Sequence, residues 1–202
     1  MAEAPKKLVF GVGYNDADYA VYKKQPDGKY LLCPFYKTWK KMLERAFYER
    51  YHAVQPTYKD VKVCEEWLTF SNFKAWMEKQ DWQGRQLDKD LLGNGKLYSP
   101  DTCCFLTRKS NNFMKTCPKQ RGVNPVGVQR TESGRYYGTV SNPFTGKYIY
   151  LGLRSCSTAA HIDWRKAKQE IAVKLAELET DERAKAALVK FVSGVPYETS
   201  VS

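Results

Sequence analysis

Two oxygen-bearing side chains, Asp88 and Asn111, sit near the ends of the stretch that looks least like ordinary core or linker, QLDKDLLGNGKLYSPDTCCFLTRKSNNF over residues 86–113. A carboxylate and an amide carbonyl are hard ligands. Mg²⁺ takes one or two carboxylates, completes its shell with water and substrate phosphate oxygens, and needs no dedicated protein cage. The chemistry such a pair could support is therefore work on a phosphate ester at a divalent cation.

The elements around the pair can be read from the same stretch. Gln86–Asp90 alternates polar and apolar residues as a short strand. Gly93-Asn94-Gly95 is a strong turn signal before Tyr98, and Ser99-Pro100 delays the second strand to about Cys103–Leu106. Thr107 then caps a short helix through Asn111 and Asn112. The expected unit is strand, loop, strand, helix, a hairpin and helix with Asp88 and Asn111 facing one another across a small gap.

Upstream, Leu8–Tyr14, Tyr19–Lys23 and Tyr30–Cys33 read as short strands, a β preface separated by Asn15-Asp16 and Pro26-Asp27-Gly28. Gly11 and Gly13 lack the third glycine and the following amphipathic helix of a nucleotide-binding loop. From Tyr36 to Tyr51, Trp39, Met42, Leu43, Ala46 and Phe47 recur at helical spacing with basic residues elsewhere. Val61–Cys64 is a brief strand, and Phe70, Phe73, Trp76 and Met77 mark a second helix. These aromatics are core residues that support the 86–113 stretch.

Composition narrows the partner. With 43% hydrophobic and 14% aromatic residues, the 202-residue chain buries one or two cores and is globular. Its net charge of +11 points to a polyanion, nucleic acid first, although the same surplus also serves solubility alone. No apolar run reaches membrane-spanning length and the N-terminus has no signal-peptide pattern, so no membrane partner is expected and the expected compartment is the cytosol. The cysteines at 33, 64, 103, 104, 117 and 156 form no CxxC pair. They read as buried free thiols, and Zn²⁺ is not the expected metal.

Beyond Asn112 the composition changes. Lys115–Pro125 reads as a basic linker. Val126–Arg130, Arg135–Ser141 and Tyr148–Leu153 read as a three-stranded antiparallel sheet, with turns at Glu132-Ser133-Gly134 and 142–146. Ser157 or Thr158 caps a long helix whose Ala160, Trp164, Ala167, Ile171, Leu175 and Leu178 form a stripe that covers the sheet. From Lys115 to Arg154 there are seven Lys or Arg against one acid, Glu132. By alternation, Gln129, Arg135, Tyr137, Thr139, Lys147 and Arg154 fall on the free face, mixing phosphate-binding cations with residues able to touch base edges. The tail opens with DERAKAALVKF, whose Leu188, Val189, Phe191 and Val192 offer an apolar surface to the preceding domain or to a second copy of the chain.

Two resemblances follow from these motifs. The segment from Gly127 to Ala176, with GRYYGTV, GKYIYLG and an alanine-rich helix, resembles AP2-type DNA-binding domains. The resemblance implies a sheet laid in the major groove of double-stranded DNA, with Arg130, Arg135, Lys147 and Arg154 as contacts. The segment from Tyr36 to Phe113 resembles phage-encoded HNH homing endonucleases through YKTWKKMLERAF, VCEEWLTFSNF, LDKD, YSPDTCCFLT and the SNN helix. That family folds as a ββα-metal finger around one divalent cation, with a histidine that activates water and a middle asparagine that ties the loop. By motif, Asp88 and Asn111 fall on the metal-ligand positions, for Mg²⁺ or Mn²⁺. Lys89 stands where the histidine belongs and Thr102 where the middle asparagine belongs.

Lysine is a poor base at neutral pH unless its surroundings depress its pKa, whereas an imidazole titrates near it. Lys89 could instead bind a phosphate, hold a metal-bound water through Asp90, or mark a site that has lost activity. His52, in a loop, and His161, in the last long helix, lack the spacing of the missing base. The expected fold is α+β: an HNH-like ββα-metal domain over 1–114 with its β preface, a linker over 115–125, an AP2-like domain over 126–180, and a helix and tail over 181–202. The expected function is a site-selective endonuclease that cuts or nicks DNA, acting in the host cytosol if phage-encoded. The alternative is a degenerate HNH-fold protein acting as a repressor or site competitor.

Overall fold

Pro34 at the first helical position and a repeat of Tyr36, Trp39, Met42, Leu43 and Ala46 start and orient helix α1 (Pro34–Phe47) in the computed structural model, which describes residues 8–115 and 124–194. The backbone turns extended at Tyr48, and α2 (Glu49–Val54) follows. The single helix expected over 36–51 is thus two, and His52 lies in α2 rather than a loop. Helix α3 (Phe70–Glu78) supplies Phe70, Phe73 and Met77 to the same core as Trp39, whose indole N–H donates to the Trp67 carbonyl at 2.7 Å. Burying that ring satisfies its only polar atom.

The β preface is smaller than expected. Strands β1 (Tyr22–Lys24) and β2 (Tyr30–Leu32) form an antiparallel pair. Residues 8–14 instead make a tight turn closed by a Val9–Gly13 bridge, with Tyr14 bridging to Thr69. Gly13 answers to packing: a Cβ there would lie 2.3 Å from the Leu43 Cδ1.

Strand β3 (Lys62–Val63) is followed by β4 (Gln86–Asp88), β5 (Leu97–Tyr98), β6 (Cys104–Leu106) and α4 (Arg108–Phe113). Strand β4 pairs with β6, and α4 follows directly, as the strand, loop, strand, helix reading expects. The loop carries a strand of its own, however: β5 pairs in parallel with β3. Thr107 caps α4, its hydroxyl accepting from the Ser110 N–H.

The three-stranded antiparallel sheet follows, in the order β7 (Val128–Arg130), β8 (Tyr136–Ser141), β9 (Tyr148–Arg154). Helix α5 (Ser157–Ala176) lies across it and α6 (Glu182–Phe191) packs on α5. The chain is therefore α+β. The N-cap of α5 is Cys156, with no side-chain cap bond, rather than Ser157 or Thr158. The expected stripe packs against the sheet except at Leu178, which is exposed beyond the helix end. Leu188 and Val192 are buried, and Phe191 packs on the same core.

The chain divides into two compact units, residues 1–83 with 87–105, and 84–86 with 106–202. The second begins earlier than the expected 126, and a buried carboxylate gives the reason. Glu179 takes an ion pair from Arg85 at 2.6 Å, hydrogen bonds from the Thr107 N–H and hydroxyl, and one from Ser110. Four donors drawn to one carboxylate tie 84–86 and α4 to the end of α5. Most of the expected linker lies outside the described residues, as do Cys117, Lys119 and Arg121.

Candidate functional site

Asp88 closes β4 and its side chain turns back on the chain. Its Oδ1 accepts the N–H groups of Asp90 at 3.0 Å and Leu91 at 2.9 Å, the geometry of an Asx turn, so the second oxygen takes no part in the turn. Burial pushes the Asp88 carboxyl above its ordinary value, and these two N–H groups oppose the shift. The side chain is therefore oriented by backbone and desolvated.

Lys89 is 6% exposed, and its ammonium donates to the Asp90 carboxylate at 2.8 Å. It also lies 4.9 Å from the centre of the Tyr58 ring and 5.7 Å from that of Tyr98. A carboxylate and two ring faces hold the charge in place. Arg45 closes the group from α1, hydrogen-bonded to Tyr98 and 5.9 Å over the Tyr58 ring, and burial raises both tyrosines above their ordinary pKa. The Gly93-Asn94-Gly95 turn is shaped around this cluster. A Cβ at Gly95, where φ is +73°, would fall 2.5 Å from the Asp90 Oδ1. Thr102 ties the loop: its hydroxyl donates to the Leu97 carbonyl at 2.7 Å and lies 2.9 Å from the Ser99 hydroxyl.

Asn111, by contrast, falls in the second unit, where its amide N–H donates to Gln86 at 2.7 Å. The amide oxygen is then the ligating atom it can offer. A carboxylate oxygen such as that of Asp88 suits a Mg²⁺ or Mn²⁺ bound largely through water and phosphate. No group of three or more His, Cys, Asp or Glu is placed to hold a metal among the described residues. Both histidines bond to backbone carbonyls. His52 Nε2 bonds the Arg45 carbonyl at 2.9 Å, and His161 is buried with Nδ1 bonded to the Val126 carbonyl, stacked on Trp164. Cys103 and Cys104 are buried, Cys33 and Cys64 half-buried, and Cys156 exposed rather than buried.

The register of the sheet sorts the other candidates by face, because residues directly paired across strands share one. Gln129 pairs with Tyr137 and Thr139 with Tyr150, on the face away from α5. Arg135 is exposed just before β8, and Lys147 is exposed at the foot of the β8–β9 turn, opposite Asn142. Arg130 and Arg154 both pair with Tyr136, on the α5 side. Arg130 rests over the Tyr136 ring at 5.7 Å, and Arg154 forms an ion pair with Asp163 of α5 at 2.6 Å. Simple alternation, which places Arg154 on the free face, fails because β9 carries an irregularity opposite Tyr137–Thr139 and Gly152 adopts φ +83°. One extra residue reverses the facing of all that follow.

The same register brings up residues that sequence reasoning missed. Tyr148 and Tyr150 stand on the free face, 77% and 57% exposed. Their i, i+2 spacing within YIYLG was the available signal. No family model, curated protein or solved structure matches this chain.

Proposed function

We propose that the protein is a site-selective double-stranded DNA-binding protein whose second unit carries the nucleic acid. One observation supports this above the others: the second unit holds 17 Lys and Arg against 8 Asp and Glu, the first 16 against 14. Nearly all of the net charge thus belongs to the unit with the sheet, where cations can neutralise phosphates and side chains can read base edges. The test is a gel-shift titration of the full chain on DNA from around its coding gene, against unrelated DNA. Equal affinity for both rejects site selection, and no binding to either rejects the reading.

A second reading is a divalent-metal-dependent endonuclease of HNH type that cuts or nicks phosphodiester bonds. It is favoured by the orientation of Asp88, whose second oxygen is outside the turn. A bound Mg²⁺ or Mn²⁺ would polarise the scissile phosphate. Asp88 would hold it, and the Lys89 ammonium beside it would add positive charge near the developing negative charge. The Lys89 Nζ is turned to the Asp90 carboxylate, so the attacking water would be activated without Lys89. The expected outcome is nicked or linear product from supercoiled DNA with Mg²⁺ or Mn²⁺, absent with EDTA and lost in Asp88→Ala. DNA left intact under every condition leaves a repressor or site competitor that binds without cutting.

A further inference from the structure

The geometry points to the free face of the β7–β8–β9 sheet as a stacking platform for unpaired bases of single-stranded nucleic acid, an inference that rests on the nucleic-acid reading above. Three tyrosines share this face: Tyr137, Tyr148 and Tyr150. The rings of Tyr137 and Tyr150 lie 5.4 Å apart and tilted, and the Tyr137 hydroxyl donates to Gln129 at 2.6 Å, which holds its ring in position. Tyr148 and Tyr150 are 77% and 57% exposed, and Tyr137 is half-buried beside Tyr150.

Spacing and charge select the ligand. Residues i and i+2 of a strand are about 7 Å apart, roughly twice the ~3.4 Å rise per nucleotide within one strand of a duplex. Neighbouring rings on β9 therefore do not match successive bases of an intact stack. They match bases of a strand that has been opened, one base to a ring, which is the arrangement of single-strand binding surfaces. None of the three strands contains Asp or Glu. Arg135 at one end of the sheet and Lys147 at the foot of the β8–β9 turn supply cations at its margins, while Arg130 and Arg154 are on the α5 side. A face of rings with cations at its rim fits bases on the rings and phosphates at the edge.

The test uses the full chain with a fluorescent mixed-sequence oligonucleotide, single-stranded and as the annealed duplex. Three forms are compared: the parent, the double variant Tyr148→Ala with Tyr150→Ala, and the double variant Tyr148→Phe with Tyr150→Phe. The expected result is single-strand binding that falls at least tenfold in the alanine variant and persists in the phenylalanine variant, with duplex affinity falling by a clearly smaller factor. Circular dichroism on each variant checks that the sheet survives. Single-strand affinity unchanged by alanine, or lost equally with duplex affinity, overturns the platform while leaving DNA binding in place. Absence of binding to both forms overturns the nucleic-acid reading as well.

Discussion

Two lysines buried in similar degree meet different surroundings. Lys89 is met by Asp90 and two tyrosine faces, so its charge has a partner. Lys168 is buried in α5, where its ammonium donates to the Phe113 carbonyl at 2.7 Å and lies 3.5 Å from the centre of that ring. Burial pulls Lys168 down to about 8 from an ordinary lysine value of 10.5. Between these values the unfolded chain binds more protons than the folded one, so this residue makes stability rise with pH from about 8 to about 10.5. Below pH 8 both states are protonated and its cost is constant. Unfolding by urea at pH 7.5 and 9.5 should show the parent gaining about 1–2 kcal/mol relative to Lys168→Met over that interval. A difference that does not change with pH would contradict the assignment.

At the scale of elements, Glu179 and the β9 irregularity carry the organisation. Glu179 is fully buried and its carboxylate gathers Arg85, Thr107 and Ser110, which joins the start of α4 to the end of α5. Removing one member of a buried ion pair leaves the other without its counter-charge, at about 3–5 kcal/mol. Glu179→Ala is expected to lower unfolding stability by that amount, measured by denaturant titration, with Glu179→Gln falling in between. In β9, Gly152 sits where an L side chain is strained, so Gly152→Ala should cost about 1–2 kcal/mol. Since the same position sets which way Arg154 faces, that variant should also weaken the Arg154–Asp163 pair, visible as a changed Arg154 side-chain NMR signal.

For the whole molecule, the uneven charge sets how binding depends on salt. If six phosphates are neutralised, affinity should fall by about a thousandfold between 50 and 200 mM salt. A nearly flat dependence would mean that the 17 cations of the second unit do not meet phosphate. The charge of the first unit is close to balanced, and its cations include Arg45 and Lys89, both committed to internal tyrosines. Its share of the salt dependence should be correspondingly small.

Much of the fold was legible because its signals are local. The period of α1 and α3, the Thr107 cap, the three strands of the sheet and the stripe of α5 all follow from spacings within one element. Local signals also located Asp88 at the end of its strand and Asn111 in its helix. What depended on distant partners was not legible. The pairing of β5 with β3 joins segments more than thirty residues apart, and no pattern within either announces it. No local pattern sets Glu179 apart from the other acids of the sequence, yet the tertiary structure buries it, and the second unit resumes at Leu106. The face of Arg154 was decided by one glycine at φ +83°, a backbone state that alternation cannot register. By itself the sequence determined most of the helices and strands and where charge accumulates. Only the tertiary structure decided which side chains are free to meet a ligand, because burial, counter-charge and strand register are properties of pairs that the chain brings together from afar.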